Sequence, residues 1–261
     1  MLDALSPQRR RTVLVAAALA LLLVLGVAVT VVLRSRDTVA AVPQDQPGPV
    51  LLVPGYGGTG ASLAPLADAL RAAGRQPVLV PPVGDGTGDL RAQATHLGEV
   101  AREVLADTGA PSVDVVGYSA GGVVARLWVR DADGDAPVRR VLTVGAPHHG
   151  TSQAAVGSEL AGGCPPACEQ LVPGSDVLRR LNAGDETPAG PAWVTVRSTT
   201  DRVVTPVDSA ALAGALDVVV QDVCPRSAAA HPDLPSDPVV LALLGSALGA
   251  GPPAGPAAVR C

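Results

Sequence analysis

The sequence predicts an α/β domain with one mostly parallel sheet of about six strands and helices on both faces, preceded by an N-terminal transmembrane helix. Three observations predict this architecture. Short valine-rich runs recur along the chain, longer stretches of helical period separate them, and one long apolar run near the start carries no charge. Strands that alternate with helices form parallel sheets, because each helix returns the chain to begin the next strand in the same direction.

The predicted strands are continuous apolar runs, which is typical of strands that are buried on both faces. They occupy residues 50–53, 77–80, 113–116, 141–144, 193–196 and 218–220. The predicted helices occupy residues 63–73, 90–105, 119–129 and 239–248. Strands and helices alternate without a break in composition, so the simplest organisation of this part is a single domain.

The apolar run at residues 12–33 has 22 uncharged residues, enough to cross a hydrocarbon core of roughly 30 Å. Three consecutive arginines precede it, whereas only two, partly offset by an aspartate, follow it closely. This bias places the N-terminus in the cytoplasm. We therefore expect cytoplasmic residues 1–11, a signal-anchor at 12–33, a linker at 34–48, and an extracellular domain at 49–261 of a single-pass cell-membrane protein. The alternative is a signal peptide cleaved after Ala41, which would release a secreted domain.

The composition excludes several classes of partner. The net charge is −5 and the basic residues form no cluster outside the N-terminus, so no nucleic-acid partner is expected. No metal, nucleotide or haem motif is present, and a chain without lysine cannot form the lysine-containing phosphate loop. We therefore expect no metal, no cofactor and a monomeric domain.

All four cysteines, Cys164, Cys168, Cys224 and Cys261, follow the apolar run. An even number of cysteines in an exported domain suggests two disulfides. Four cysteines allow three pairings. We favour a local Cys164–Cys168 bridge, with Cys224–Cys261 tying down the C-terminal tail. A zinc site is the alternative, but no histidine lies at ligand spacing near either pair.

A G-x-S-x-G segment, Gly117-Tyr118-Ser119-Ala120-Gly121, lies between a predicted strand and a predicted helix. A serine on such a sharp turn exposes its hydroxyl at the carboxyl edge of the sheet. Gly117 and Gly121 are expected where side chains would collide with neighbouring backbone. The amides that open the following helix would face a developing negative charge. This context predicts that Ser119 is a nucleophile, against the alternative of an ordinary glycine-rich turn.

Further motifs make the chain similar to the α/β hydrolases, in particular to small secreted bacterial lipases and esterases of the class 2 kind. One motif occupies residues 145–151 and another residues 168–178. The resemblance extends from about residue 49 to about residue 248. It implies an α/β-hydrolase fold and the hydrolysis of carboxylic esters.

The segment after the first predicted strand is similar to the oxyanion loop of that family. The resemblance implies that the backbone amides of Tyr56 and Ala120 bind the oxyanion. Where the family usually has His-Gly, this sequence has Pro54-Gly55. That change keeps the amide donors but removes any contact that the histidine side chain makes.

In this fold the nucleophile, the acid and the histidine follow one another along the chain. The resemblance implies a base at His231, between the last predicted strand and the last helix, and an acid at Asp201, after the strand at 193–196. Asp201 would fix the tautomer of His231, which would accept the proton of Ser119. Asp208 is the alternative acid.

The remaining histidines and the only two tyrosines are assigned other roles. His96 is expected to be solvated on a helix, and His148 and His149 to shape a loop or the rim of the pocket. Tyr56 and Tyr118 both lie in predicted catalytic loops. Either ring could border the acyl site, or Tyr118 could pack the turn around the nucleophile.

The implied activity is cleavage of acylglycerol-type esters through an acyl-Ser119 intermediate, with an ester or lipid substrate. Residues 152–190 are an insertion that would border the acyl pocket as a lid or as a fixed rim. Two alternative functions stay open. One is an acyltransferase with the same triad, and the other is an inactive, membrane-anchored binding module on a hydrolase scaffold.

Overall fold

The computed structural model describes residues 8, 11, 14–16, 18–26, 42–131, 137–160, 163–257 and 259–261. The chain divides into residues 1–39 and residues 40–261, and each unit is described by itself. In the first unit, residues 14–16 and 18–26 are helical. Within the described residues, no helix has both the length and the apolar composition needed to cross a membrane. The other parts of the membrane segment predicted at 12–33 lie outside the described residues.

The second unit contains one six-stranded sheet in which every neighbouring pair of strands is parallel. The strands are β1 (Val50–Val53), β2 (Pro77–Leu79), β3 (Val113–Tyr118), β4 (Val138–Val144), β5 (Ala192–Arg197) and β6 (Leu216–Val219). Their order in the sheet is β2-β1-β3-β4-β5-β6. The predicted parallel sheet is confirmed. The order reverses between β1 and β3, and ligands of such sheets bind outside the carboxyl ends of the strands at that reversal.

Helices cover both faces of the sheet, as predicted. They are α1 (Ala64–Ala72), α2 (Leu90–Thr108), α3 (Ala120–Asp131), α4 (Ser152–Leu160), α5 (Pro166–Gln170), α6 (Asp176–Leu181), α7 (Val220–Val223) and α8 (Pro238–Leu248). Among the residues that the structure describes, three short 3-10 helices occupy Gly60–Leu63, Val207–Ala210 and His231–Ser236. Strand β1 supplies both layers, because successive side chains point to opposite faces. Leu51 and Val53 pack with α2 and α3, whereas Val50 and Leu52 pack with α1 and α8.

Strand β4 begins three residues before its predicted start. The prediction missed these residues because two buried arginines interrupt the apolar run there. Arg139 and Arg140 are 0% and 1% exposed. The Nε of Arg139 donates to Asp114 Oδ1 at 2.9 Å, and the Nη1 of Arg140 donates to the carbonyl of Ala247 at 2.6 Å. Burial of a charge is tolerated only with such partners, which lie far away in sequence and are invisible to a local pattern.

Both favoured disulfides are formed. Cys164–Cys168 spans the start of α5, and Cys224–Cys261 joins the residue after α7 to the C-terminal residue. The favoured pairing is therefore confirmed, and it removes the alternative of a cysteine zinc site, because zinc is bound by free thiolates.

Candidate active site

Ser119 joins β3 to α3 at the carboxyl edge of the sheet. Its φ is +54°, and within the described part of the chain it is the only non-glycine residue with a positive φ. A β-carbon on Gly117 would lie 2.6 Å from backbone atoms of Gly121 and Gly122, and one on Gly121 would lie 2.6 Å from the carbonyl oxygen of Pro54. The turn therefore packs against the end of β1 without room for a side chain at either glycine. Strained backbone of this kind clusters at functional sites.

His231 opens the 3-10 helix after β6, and it is only 6% exposed. Its Nε2 lies 3.0 Å from the Oγ of Ser119, and its Nδ1 lies 2.7 Å from Asp201 Oδ2. The three side chains come from segments that follow β3, β5 and β6, and a parallel sheet brings such segments to one edge. With Nδ1–H donated to the carboxylate, Nε2 is the nitrogen that can accept the hydroxyl proton of Ser119.

The carboxylate of Asp201 is held by backbone amides as well as by His231. Its Oδ1 accepts hydrogen bonds from the amides of Val203 at 2.7 Å and Val204 at 2.9 Å. Burial by itself raises the pKa of Asp201, but the hydrogen bond and charge of His231, together with the two amides, outweigh it. The pKa of Asp201 is therefore lowered, and its carboxylate is ionised at neutral pH.

The loop after β1 lies directly against Ser119. A β-carbon on Gly55 would be 2.9 Å from the Cβ of Ser119 and 3.5 Å from its Oγ. The next amide is that of Tyr56, whose side chain is 42% exposed. Ala120 is the first residue of α3, so its amide has no acceptor within its own helix. The structure thus places Ala120, and Gly55 next to Tyr56, beside Ser119.

His148 is fully buried. Its Nε2 lies 3.0 Å from the Oγ1 of Thr143, and its Nδ1 has no partner within the described residues. Burial, followed by the positive charge of Arg126, keeps the pKa of His148 well below its ordinary value. His148 is therefore a neutral structural residue at physiological pH.

The other candidates for the base and the acid form ion pairs or hydrogen bonds with residues other than Ser119. His149 Nε2 lies 2.7 Å from a carboxylate oxygen of Glu186, and His96 lies near a glutamate one turn further along α2. Asp208, the alternative acid, accepts from the guanidinium of Arg197 at 2.7 Å and is exposed. The structure does not place any of these side chains between Ser119 and a catalytic partner.

Thr151 was not among the predicted site residues, yet it holds the loop that carries Asp201 in place. Its hydroxyl donates to the carbonyl of Val203 and accepts from the amide of Thr205 at 3.2 Å. Its own amide donates to the carbonyl of Leu171 at 3.0 Å. The sequence feature that could have identified Thr151 is its position at the end of the motif at residues 145–151.

The insertion that follows Thr151 contacts the loop before α2. The amide of Ala167 donates to the carbonyl of Thr87 at 3.0 Å, and the side chain of Gln170 accepts from the amide of Leu90 at 2.8 Å. These bonds involve α5, the short helix that carries the Cys164–Cys168 bridge. In this structure α5 is therefore part of a rim that the Cys164–Cys168 disulfide bridges.

Comparison with known proteins shows which family the chain belongs to. Residues 49–181, just over half of the chain, match the family model described as palmitoyl protein thioesterase. Aspergillus fumigatus lipase B is similar in structure, with a TM-score of 0.69 and 21% identity over 80% of this chain and 54% of that chain. This chain thus spans about half the length of that lipase.

Two bacterial structures are similar over most of their own length. The mature form of Bacillus licheniformis lipase BlEst2 has a TM-score of 0.64 and 16% identity over 82% of this chain and 96% of that chain. A gene product from Listeria innocua has a TM-score of 0.54 and 16% identity, covering 75% and 91%. The structural similarities show the fold, whereas the match to the family model shows which family the chain belongs to. The chain belongs to the palmitoyl protein thioesterase family and is a lipase- and esterase-like member of the α/β-hydrolase superfamily.

Proposed function

We propose that this chain is a serine hydrolase that cleaves carboxylic esters of the acylglycerol type through an acyl-Ser119 intermediate. The observation that carries the proposal is the hydrogen-bonded series from Ser119 Oγ to His231 Nε2 at 3.0 Å and from His231 Nδ1 to Asp201 Oδ2 at 2.7 Å. A nucleophile, a base and a residue that orients the base within hydrogen-bond reach form a catalytic triad.

In the proposed first half-reaction, Ser119 Oγ attacks the ester carbonyl carbon while His231 Nε2 takes the hydroxyl proton. The carbonyl π electrons move onto oxygen, and the amides of Tyr56 and Ala120 stabilise the oxyanion that forms. Asp201, ionised and held by two amides, stabilises the imidazolium.

The tetrahedral intermediate then expels the alcohol, which takes its proton from His231 Nε2 as the carbon–oxygen bond breaks. This leaves Ser119 acylated and His231 neutral. In the second half-reaction His231 Nε2 takes a proton from a water molecule, whose oxygen attacks the acyl carbon. The bond from that carbon to Ser119 Oγ then breaks, Ser119 Oγ takes the proton back from His231 Nε2, and the carboxylic acid leaves. An alcohol in place of this water would make the chain an acyltransferase.

The test of the proposal uses the purified full chain, the Ser119→Ala variant and a fluorophosphonate probe. Wild-type protein should hydrolyse p-nitrophenyl butyrate and carry the probe on Ser119, whereas Ser119→Ala should do neither. The exposed Ser62 provides a matched serine-to-alanine control that should retain both properties. Hydrolysis by Ser119→Ala would contradict the proposal. An unlabelled, inactive wild type would favour the inactive binding module instead.

A thioester is the second candidate substrate, favoured by the description of the matching family model. The same triad would serve, but the leaving group would be a thiol. A thiolate is a good leaving group and needs less protonation by His231 than an alkoxide does. Comparing kcat/KM for an acyl ester and an acyl thioester with the same acyl group and a matched leaving chain decides between them.

We further propose that residues 12–33 anchor the domain outside the cytoplasmic membrane. The arginine bias around this segment and the two disulfides support this placement, because disulfides persist in oxidising compartments. Two experiments test this placement: cell fractionation, and protease treatment of cells whose outer layers have been made permeable while the cytoplasmic membrane stays intact. Recovery of the domain in the soluble cytoplasmic fraction would contradict it.

A further inference from the structure

An apolar cleft begins beside the nucleophile. It holds about 350 Å³ of empty space, part of it open to solvent. Gly55 and Ala120, the residues that flank Ser119, line its mouth, and Val80, Leu90 and Val124 line its interior. These three interior residues are 4%, 2% and 4% exposed, so they form part of the packed core and close the cleft.

The one polar side chain in the lining of this cleft is already occupied. The Oε1 of Gln93 accepts from the amide of Val83 at 2.9 Å, and its Nε2 donates to the carbonyl of the same residue at 3.0 Å. Gln93 therefore fixes the wall that follows β2 and offers a ligand little free polar capacity. That wall also bonds to the oxyanion loop, since the amide of Gly57 donates to the carbonyl of Gly86 at 3.2 Å.

The position of the cleft relative to the triad indicates which half of an ester it would take. Its lining comes from the ends of β1 and β2 and from α2 and α3, whereas His231 and Asp201 follow β6 and β5. In the order β2-β1-β3-β4-β5-β6, Ser119 after β3 lies between the two sets. The leaving alcohol must lie near His231 Nε2 to receive its proton. The group on the opposite side is therefore the acyl chain.

We propose that this cleft binds the acyl chain and selects esters whose acyl group is short, unbranched and uncharged. The inference rests on the proposed esterase function and adds the substrate class. The cleft is small, because the 350 Å³ includes open solvent and the packed side chains of Val80, Leu90 and Val124 close its far end. The neutral, apolar lining favours a hydrocarbon chain, and the packed interior limits how long or bulky that chain can be.

The test measures kcat/KM of the full chain for straight-chain p-nitrophenyl esters from acetate to decanoate. Each methylene that enters the cleft should raise kcat/KM about fourfold, the effect of burying one methylene. The rise should stop once the cleft is filled, so the optimum lies among the short esters. The branched pivalate and the anionic hemisuccinate should be poor substrates.

Two substitutions inside the cleft and one outside it test the assignment. Val124→Phe should lower the ratio of hexanoate to acetate hydrolysis at least tenfold, and Leu90→Ala should move the optimum to a longer chain. Ala106→Phe, on an exposed position near the C-terminal end of α2, introduces the same side chain outside the cleft and should keep the wild-type profile. Leu90→Ala also keeps the test decisive if Val124→Phe does not fold.

An unchanged chain-length profile in both cleft variants would overturn the inference. So would a second series, acetate esters of alcohols from ethanol to hexanol, if the cleft variants changed selectivity for the alcohol instead. Failure of the proposed function looks different, because the wild type would then hydrolyse no ester in either series and would not bind the fluorophosphonate probe.

Discussion

The ring of Tyr118 stacks on the imidazole of His231, with centroids 5.1 Å apart, and its hydroxyl donates to the backbone carbonyl of His231 at 3.1 Å. Tyr118 immediately precedes Ser119, so the same turn carries Ser119 and positions His231. Burial, followed by the negative charge of Asp201, raises the pKa of Tyr118 to about 12. The hydroxyl therefore remains a hydrogen-bond donor throughout the neutral and mildly alkaline range.

Tyr118→Phe removes this hydroxyl and keeps the stacked ring. Loss of one hydrogen bond of about 1 kcal/mol from the positioned base should lower kcat roughly fivefold with little change in KM. Tyr118→Leu also removes the ring and should lower kcat further. Steady-state kinetics with p-nitrophenyl butyrate measure both effects. Equal, wild-type kcat values in the two variants would show that Tyr118 only fills space.

Asp201→Asn separates the proposed acid from the alternative. The variant loses the charge that stabilises the imidazolium and the acceptor that fixes its tautomer, so kcat should fall roughly 10³- to 10⁴-fold. Asp208→Asn breaks only an exposed ion pair with Arg197 and should keep kcat within about twofold. The same ester assay reports both, and the reverse ranking would make Asp208 the acid.

Thr151→Val tests the link between the acid loop and the segment after β4. The variant keeps the shape of the side chain but leaves the carbonyl of Val203 and the amide of Thr205 without their hydroxyl partner. We expect a loss of about 1–2 kcal/mol in the free energy of unfolding and a several-fold lower kcat at unchanged KM. Thr151→Ser keeps the hydroxyl and should restore both. If serine and valine behave alike, the hydroxyl has no such role.

Gly121→Ala tests the close approach of the nucleophile turn to β1. The added β-carbon would lie 2.6 Å from the carbonyl oxygen of Pro54, and the backbone cannot yield cheaply. We expect destabilisation of about 3 kcal/mol and a large loss of activity. Gly88→Ala adds the same atom in open space, so it should change the free energy of unfolding by no more than about 0.5 kcal/mol. Urea denaturation of both variants provides the comparison.

His148 makes the stability of the protein depend on pH. Its pKa is lowered in the folded state, so the unfolded chain takes up a proton as the pH falls through about 6.5 and the folded chain does not. The free energy of unfolding should therefore decrease below pH 6.5, by up to about 1.4 kcal/mol per pH unit, until the folded-state pKa is reached.

Urea midpoints at pH 7.5 and pH 5.5 measure this slope. His148→Gln keeps a hydrogen-bonding group near Thr143 and should flatten the slope, whereas His96→Gln, on the surface of α2, should leave it unchanged. A slope that persists in His148→Gln would assign the proton uptake to another group.

Local patterns were sufficient for most of the secondary structure. Residues 50–53 form β1 as predicted, and α2 begins at Leu90 as predicted, because a fully buried strand and an amphipathic helix have clear periodicities. The predicted strand boundaries were wrong where charged side chains are buried and where a strand ends and a helix begins within one run of valines. Strand β4 extends back over Arg139 and Arg140, and Val220, predicted in a strand, begins α7.

The sequence by itself determined the parallel α/β architecture and the strand-to-helix turn at Ser119, whereas it left three possible pairings of the cysteines and only favoured one. The architecture and the turn follow from periodicity and from glycine positions. Only the tertiary structure decided which histidine and which aspartate meet Ser119, because residues 112 and 30 positions apart come together through the order of the strands. It also decided the role of Tyr118, the anchoring by Thr151 and the shape of the cleft. Each depends on contacts between segments that no local pattern records.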